Sequence, residues 1–269
     1  MTATISSGSA SSGNPAFNPR IVSDYLVRQG AESGSMTVLG TTARTFLLLI
    51  VLGAAGWWGW VSAETTVPGP MGTATGSVTV TMPPGIWLAS IGALFVGIAC
   101  AAVPTRAGLL GIVYALLEGY VLGAVSAAFD AQTSGAVAAA VLGTLCVFLM
   151  SLVLYVTRIV RPTARMAFGV AAGMCGILLF YSLVWLMSLF NIRFLFSSAF
   201  TTTAVVVNVI AIVLAALSLT LDFGTIEAGV QRGAPKFMEA YAAYGLMVTL
   251  IWLYITLLRL IAILGGGNR

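Results

Sequence analysis

A length of 269 residues admits one domain of several packed helices. The composition, 59% hydrophobic and 7% charged, lies far from the roughly 45–50% apolar and 25% charged of a soluble domain, and so few charges cannot coat a soluble surface of this size. The formal net charge of +4 comes from eleven Arg and one Lys, with no basic patch interleaved with aromatics, so the excess reads as membrane-topology signal and not as a nucleic-acid footprint. The absence of histidine excludes His-ligated haem and most zinc chemistry, and the single lysine, Lys236, lies in a polar loop where no retinal Schiff base would form.

Residues 1–35 are rich in Ser, Gly and Ala and show no long apolar core after an early basic cluster. They read as a disordered cytoplasmic tail rather than a signal peptide, leaving 36–269 as the membrane domain. Seven apolar runs follow, at Thr45–Val61, Ile86–Val103, Leu109–Phe129, Ala136–Val156, Met166–Phe190, Thr201–Leu221 and Tyr244–Leu264. Each approaches the roughly 17–25 residues that a spanning helix needs, so the fold class is an all-α seven-transmembrane-helix bundle in a lipid bilayer. Between the first two runs, Ser77–Met82 alternates Thr and Val and reads equally as a short hairpin strand or an irregular loop.

Nine of the twelve basic residues fall in the tail and in the loops after the second, fourth and sixth runs; Arg193, Arg259 and Arg269 fall on the other side. That split places the N-terminus in the cytoplasm and the C-terminus outside, in a plasma (inner) membrane. Trp57, Trp58 and Trp60 then form an aromatic belt at the outer end of the first span. The pairs Gly119/Gly123 and Gly169/Gly173 have the G-x-x-x-G spacing that lets helices pack backbone to backbone. Cys100, Cys146 and Cys175 lie in apolar runs with no C-x-x-C spacing and read as small buried hydrophobes.

A charge inside a bilayer costs at least about 2.5–3.5 kcal/mol, so the few intramembrane acids carry the information. Glu118 lies mid-span in YALLEGYVLG and is a candidate ion ligand or proton acceptor. Asp222 closes the sixth span in SLTLDFGTIEAGV, and Asn208, fourteen residues earlier, falls within roughly 40° of it on the same helix face. That face of small and polar residues suits burial against other helices, with Asn208 as its polar lining. Asp222 and Glu118 are the candidate metal ligands. Glu227 either extends the acidic rim or is solvated. Arg259 reaches the outer interface or pairs with Glu118, and Arg106 is a possible charge partner for Asp222 at the inner face. No nucleotide loop, nucleophile triad or metal cluster is visible, so catalysis is not expected and no cofactor is implied beyond calcium as a permeant or bound ion.

The segments LEGYVLGAVSAAFD (Leu117–Asp130) and LDFGTIEAGVQRGAPKFMEAYAAYGLMVTLIWLYITLLRL (Leu221–Leu260) resemble the third helix and the sixth and seventh helices of bacterial Bax inhibitor-1-like proteins. SGNPAFN (Ser12–Asn18) and GSMTVLGTTART (Gly34–Thr45) are similar to the N-terminal region of an actinobacterial-type branch. The resemblance implies a central last helix wrapped by six others, and a pH-sensitive calcium leak serving ion homeostasis. It also implies paired carboxylates on helices six and seven that act as latch and sensor. Asp222 matches the helix-six acid, and the helix-seven position falls at Thr256, a hydroxyl in place of an acid. Two other functions are open on the residues alone: a proton-coupled transporter using Glu118, and a non-conducting scaffold for a protease or another membrane partner.

Overall fold

The computed structural model of the protein describes residues 34–63, 65–66, 79–160, 162–189 and 198–266. Almost all of residues 1–35, together with Arg161, Arg193 and Arg269, lie outside the described residues. Among the described residues seven α-helices follow one another: α1 (Val38–Ser62), α2 (Ile86–Ala102), α3 (Ala107–Gln132), α4 (Ala136–Val156), α5 (Ala164–Leu189), α6 (Ser198–Gln231) and α7 (Met238–Gly266). Between α1 and α2, β1 (Thr65–Thr66) pairs antiparallel with β2 (Thr79–Val80), so part of the alternating Thr/Val segment is strand. A 3₁₀ turn, Pro104–Arg106, joins α2 to α3.

The helix starts follow from local chemistry. Thr37 caps α1, its side chain accepting from the Gly40 N–H at 3.0 Å. Thr41, Thr42 and Thr45 turn their hydroxyls onto carbonyls four residues back, which lets this Thr-rich turn enter an apolar helix. Gly85 and Gly135, with φ of +84° and +81°, make the left-handed turns into α2 and α4, a conformation that a side chain would disfavour.

Six of the helices (α1 and α3 to α7) are long and apolar enough to cross a membrane; α2 is apolar but only 17 residues long. Their outward faces carry Trp57, Trp87, Leu88, Phe95, Phe168 and Leu178, each more than half exposed. An apolar surface this continuous is a lipid-facing one, and every backbone group within a helix is already paired. Trp57 and Trp58 lie on that surface, whereas Trp60 turns inward onto Ala63, Ile86 and Ala124. Cys100 is buried, but Cys146 and Cys175 are exposed, because an apolar run does not distinguish a core face from a lipid face.

The core is organised around α7, which packs against α1, α3, α4 and α6. On one side Ala243, Met247 and Ile251 meet Leu48 of α1 and Ala115 of α3; on the other, Leu246, Leu250 and Leu253 meet Ala215 and Leu219 of α6. The last helix therefore buries two adjoining faces, and Tyr244 also ties it to α2 by donating to the Gly97 carbonyl at 3.1 Å. α1 and α3 pack backbone to backbone: a methyl group on Gly123 would strike the Gly56 carbonyl, and one on Gly119 the Leu52 carbonyl. The first G-x-x-x-G pair is thus a helix contact. In the second only Gly173 meets a neighbour, Leu214, while Gly169 faces open space.

Candidate functional site

Asp222 sits on α6 three residues beyond Leu219 and faces α7. Its Oδ2 accepts a hydrogen bond from Thr249 Oγ1 at 2.7 Å, and that hydroxyl also reaches the Gly245 carbonyl at 3.2 Å. The expectation that Thr256 faces Asp222 is corrected here. Thr256 is buried two turns further along α7 and donates to its own helix, to the Trp252 carbonyl, at 2.8 Å. Seven residues are two turns less about 20°, so Thr249 and Thr256 share one face of α7 at levels about 10.5 Å apart. The partner of Asp222 is the Thr249 hydroxyl, a residue that the sequence reading did not single out.

Asn208 lies on the same α6 face as Asp222 and is fully buried. Its amide donates to the Ala204 carbonyl at 2.7 Å, and its Oδ1 has no hydrogen-bond partner among the described residues. Glu118 is half-buried on α3, with Tyr114 one turn before it and Tyr244 of α7 both within its electrostatic reach. The two tyrosines stack edge to face, centroids 5.2 Å apart. Among the described residues nothing hydrogen-bonds or ion-pairs with Glu118. Glu118 and Asp222 belong to different helices, with α7 packed against both. Among the described residues no group of three or more His, Cys, Asp or Glu could hold a metal ion, so a cation at either acid would rely on hydroxyl, carbonyl or water oxygens.

The expected charge partners take other contacts. Arg259 lies over the Tyr181 ring of α5, 4.7 Å from its centroid, in a cation–π contact rather than beside Glu118. Arg106, in the 3₁₀ turn, forms no ion pair with Asp222. Glu227 is half-buried and not simply solvated: Tyr155 of α4 donates to its Oε2, and Gln231 donates to its Oε1 at 3.0 Å.

The one ion pair among the described residues was not anticipated from sequence. Glu239, in the first turn of α7, is only 2% exposed. Its Oε1 accepts from the Thr37 backbone N–H and from Thr37 Oγ1, both at 3.0 Å, and its Oε2 faces Arg44 Nε at 3.3 Å. Gly40 leaves the room for it, since a methyl group there would collide with the carboxylate. A bridge between Ser35 and Pro235 and a 2.7 Å bond from the Met36 N–H to the Ala234 carbonyl extend the clamp. The start of the first helix is thereby fastened to the start of the last. An acid in a first helical turn is a sequence signal, but its cation lies 195 positions away along the chain.

The family described as Bax inhibitor 1 like matches residues 14–266. No curated protein matches the chain.

Proposed function

Because the chain belongs to the Bax inhibitor 1 like family, we propose that it is a cation leak of the plasma membrane, with calcium as its principal ion and Asp222 as the group that binds or senses it. The observation that carries this reading is the Asp222 carboxylate on an apolar helix, with one hydrogen bond, from a neutral hydroxyl. A carboxylate in that setting is costly unless a cation, a proton or water completes its shell. The calcium role itself comes from the family resemblance.

In this reading all seven helices cross the bilayer. α2, at 17 residues, reaches the lower end of the spanning range, and its exposed Trp87, Leu88, Ile91 and Phe95 supply a lipid face. The N-terminus is cytoplasmic, on the side rich in arginine. With Thr249 opposite, Asp222 has no second carboxylate among the described residues with which to share a proton, so the acid-triggered opening that the resemblance implies for two-acid relatives is weakened here.

Glu118, with no hydrogen-bond or ion-pair partner among the described residues, favours a second reading, proton-coupled transport through α3. Calcium uptake into proteoliposomes, with and without an imposed proton gradient, tests both. A leak predicts uptake down the calcium gradient alone; coupled transport predicts uptake only with the proton gradient. No uptake in either condition leaves the scaffold role and ends the present proposal.

A further inference from the structure

An open cleft of about 360 Å³ lies where α4 and α6 end, lined among others by Tyr155, Arg158, Pro162, Gly224, Glu227 and Gln231. We propose that this cleft binds a zwitterionic phospholipid headgroup of the phosphoethanolamine type, its phosphate on Arg158 and its primary ammonium on Glu227.

The cleft holds charges of both signs, and Arg158 and Glu227 are not in ion-pair contact with each other. Glu227 is held in place by Tyr155 and Gln231, yet each carboxylate oxygen keeps a further lone pair for a donor. Arg158 has φ +57°, a left-handed conformation ending α4 that glycine or asparagine would adopt with less strain. Holding an arginine there brings a guanidinium to the rim, and a guanidinium suits phosphate oxygens. The Pro162 ring against Gly224 forms a wall.

The position favours a lipid over a soluble ligand. Val156 and Ile159, at the end of α4, are 69% and 71% exposed and offer an apolar surface for acyl chains beside the polar cleft. The volume lies within the roughly 300–1,000 Å³ of small-ligand sites. The presence of Glu227 disfavours a purely anionic headgroup, and a primary ammonium can donate to it where a quaternary one cannot. The Tyr155 ring lies 5.8 Å from that of Phe223, which adjoins Asp222, so an occupied cleft is in contact with the α6 segment that carries that acid.

The test is lipid binding by the full-length, delipidated chain in detergent, read by native mass spectrometry. Phosphatidylethanolamine, phosphatidylcholine and phosphatidylglycerol with the same acyl chains are titrated separately. Phosphatidylethanolamine is expected to bind about tenfold tighter than either of the others, the effect of one charge-assisted hydrogen bond. Arg158→Gly, which fits the left-handed backbone and keeps the fold, is expected to weaken binding of all three lipids by about tenfold, whereas Glu227→Gln is expected to remove the preference. Equal binding of phosphatidylcholine, tighter binding of phosphatidylglycerol, undiminished affinity in Arg158→Gly, or an unchanged preference in Glu227→Gln overturns the proposal. So does displacement of the lipid by free phosphoethanolamine at equal affinity, which would make the ligand a soluble phosphate ester. Binding rather than flux is read, so the outcome is independent of whether the chain conducts.

Discussion

The clamp between Glu239 and the start of α1 gives an asymmetric prediction. Glu239→Ala removes a carboxylate that serves Thr37 and Arg44, but Arg44 is 37% exposed and can recover water. Its cost is the loss of charge-assisted hydrogen bonds, discounted for that recovery, or about 2 kcal/mol. Arg44→Ala instead leaves a carboxylate that is 2% exposed without its cation, a change that costs about 3 kcal/mol or more. The arginine substitution should therefore be at least as destabilising as the glutamate one, and the double substitution should cost clearly less than their sum. The assay is thermal unfolding in detergent, read by reaction of a thiol dye with buried Cys100 after the exposed Cys146 and Cys175 are replaced by Ser. A silent Arg44→Ala beside a destabilising Glu239→Ala, or additive effects in the double variant, would refute the electrostatic account of the clamp.

Gly123→Ala should destabilise by about 1–3 kcal/mol because its methyl group meets the Gly56 carbonyl, whereas Gly169→Ala, facing open space, should be neutral or mildly stabilising in the same unfolding assay. Thr249→Asp should place a second acid against Asp222 and sharpen the pH dependence of calcium flux, while Thr256→Asp, two turns away, should only impair folding. In a cysteine-free background, Met82→Cys should react with an impermeant maleimide on intact cells and Thr163→Cys should not; the reverse pattern would invert the topology.

The comparison of spans with helices shows what hydropathy can reveal. α4 coincides with its apolar run, Ala136–Val156, because charge is absent from it and Gly135 turns the chain in front of it. α6 runs ten residues past the expected end at Leu221, to Gln231. A hydropathy window stops at the first charges, but this helix continues because Asp222 is taken up by Thr249 and Glu227 by Tyr155 and Gln231. α1 starts seven residues before Thr45, where Thr37 supplies a cap and threonine hydroxyls bond back along the helix. α7 likewise starts before Tyr244, since Glu239 is buried by partners from α1. At the candidate site, the sequence marks Asp222 and its α6 face with Asn208, but not Thr249, the residue that hydrogen-bonds Asp222. Thr256, taken from the family resemblance, lies two turns beyond Thr249 and bonds within its own helix. The Arg44–Glu239 pair and the Arg259–Tyr181 contact depend on tertiary proximity that no local pattern encodes.

The most direct test of the central claim is calcium efflux from proteoliposomes holding equal amounts of folded wild type or Asp222→Asn, the latter keeping the size and hydrogen-bonding capacity that Thr249 needs. Folding of both is matched beforehand by the Cys100 thiol assay. The account predicts a wild-type leak above protein-free vesicles that falls at least about tenfold in Asp222→Asn, the effect of removing one charge from a cation site. Efflux from the variant equal to that of the wild type, with both well folded, would contradict it.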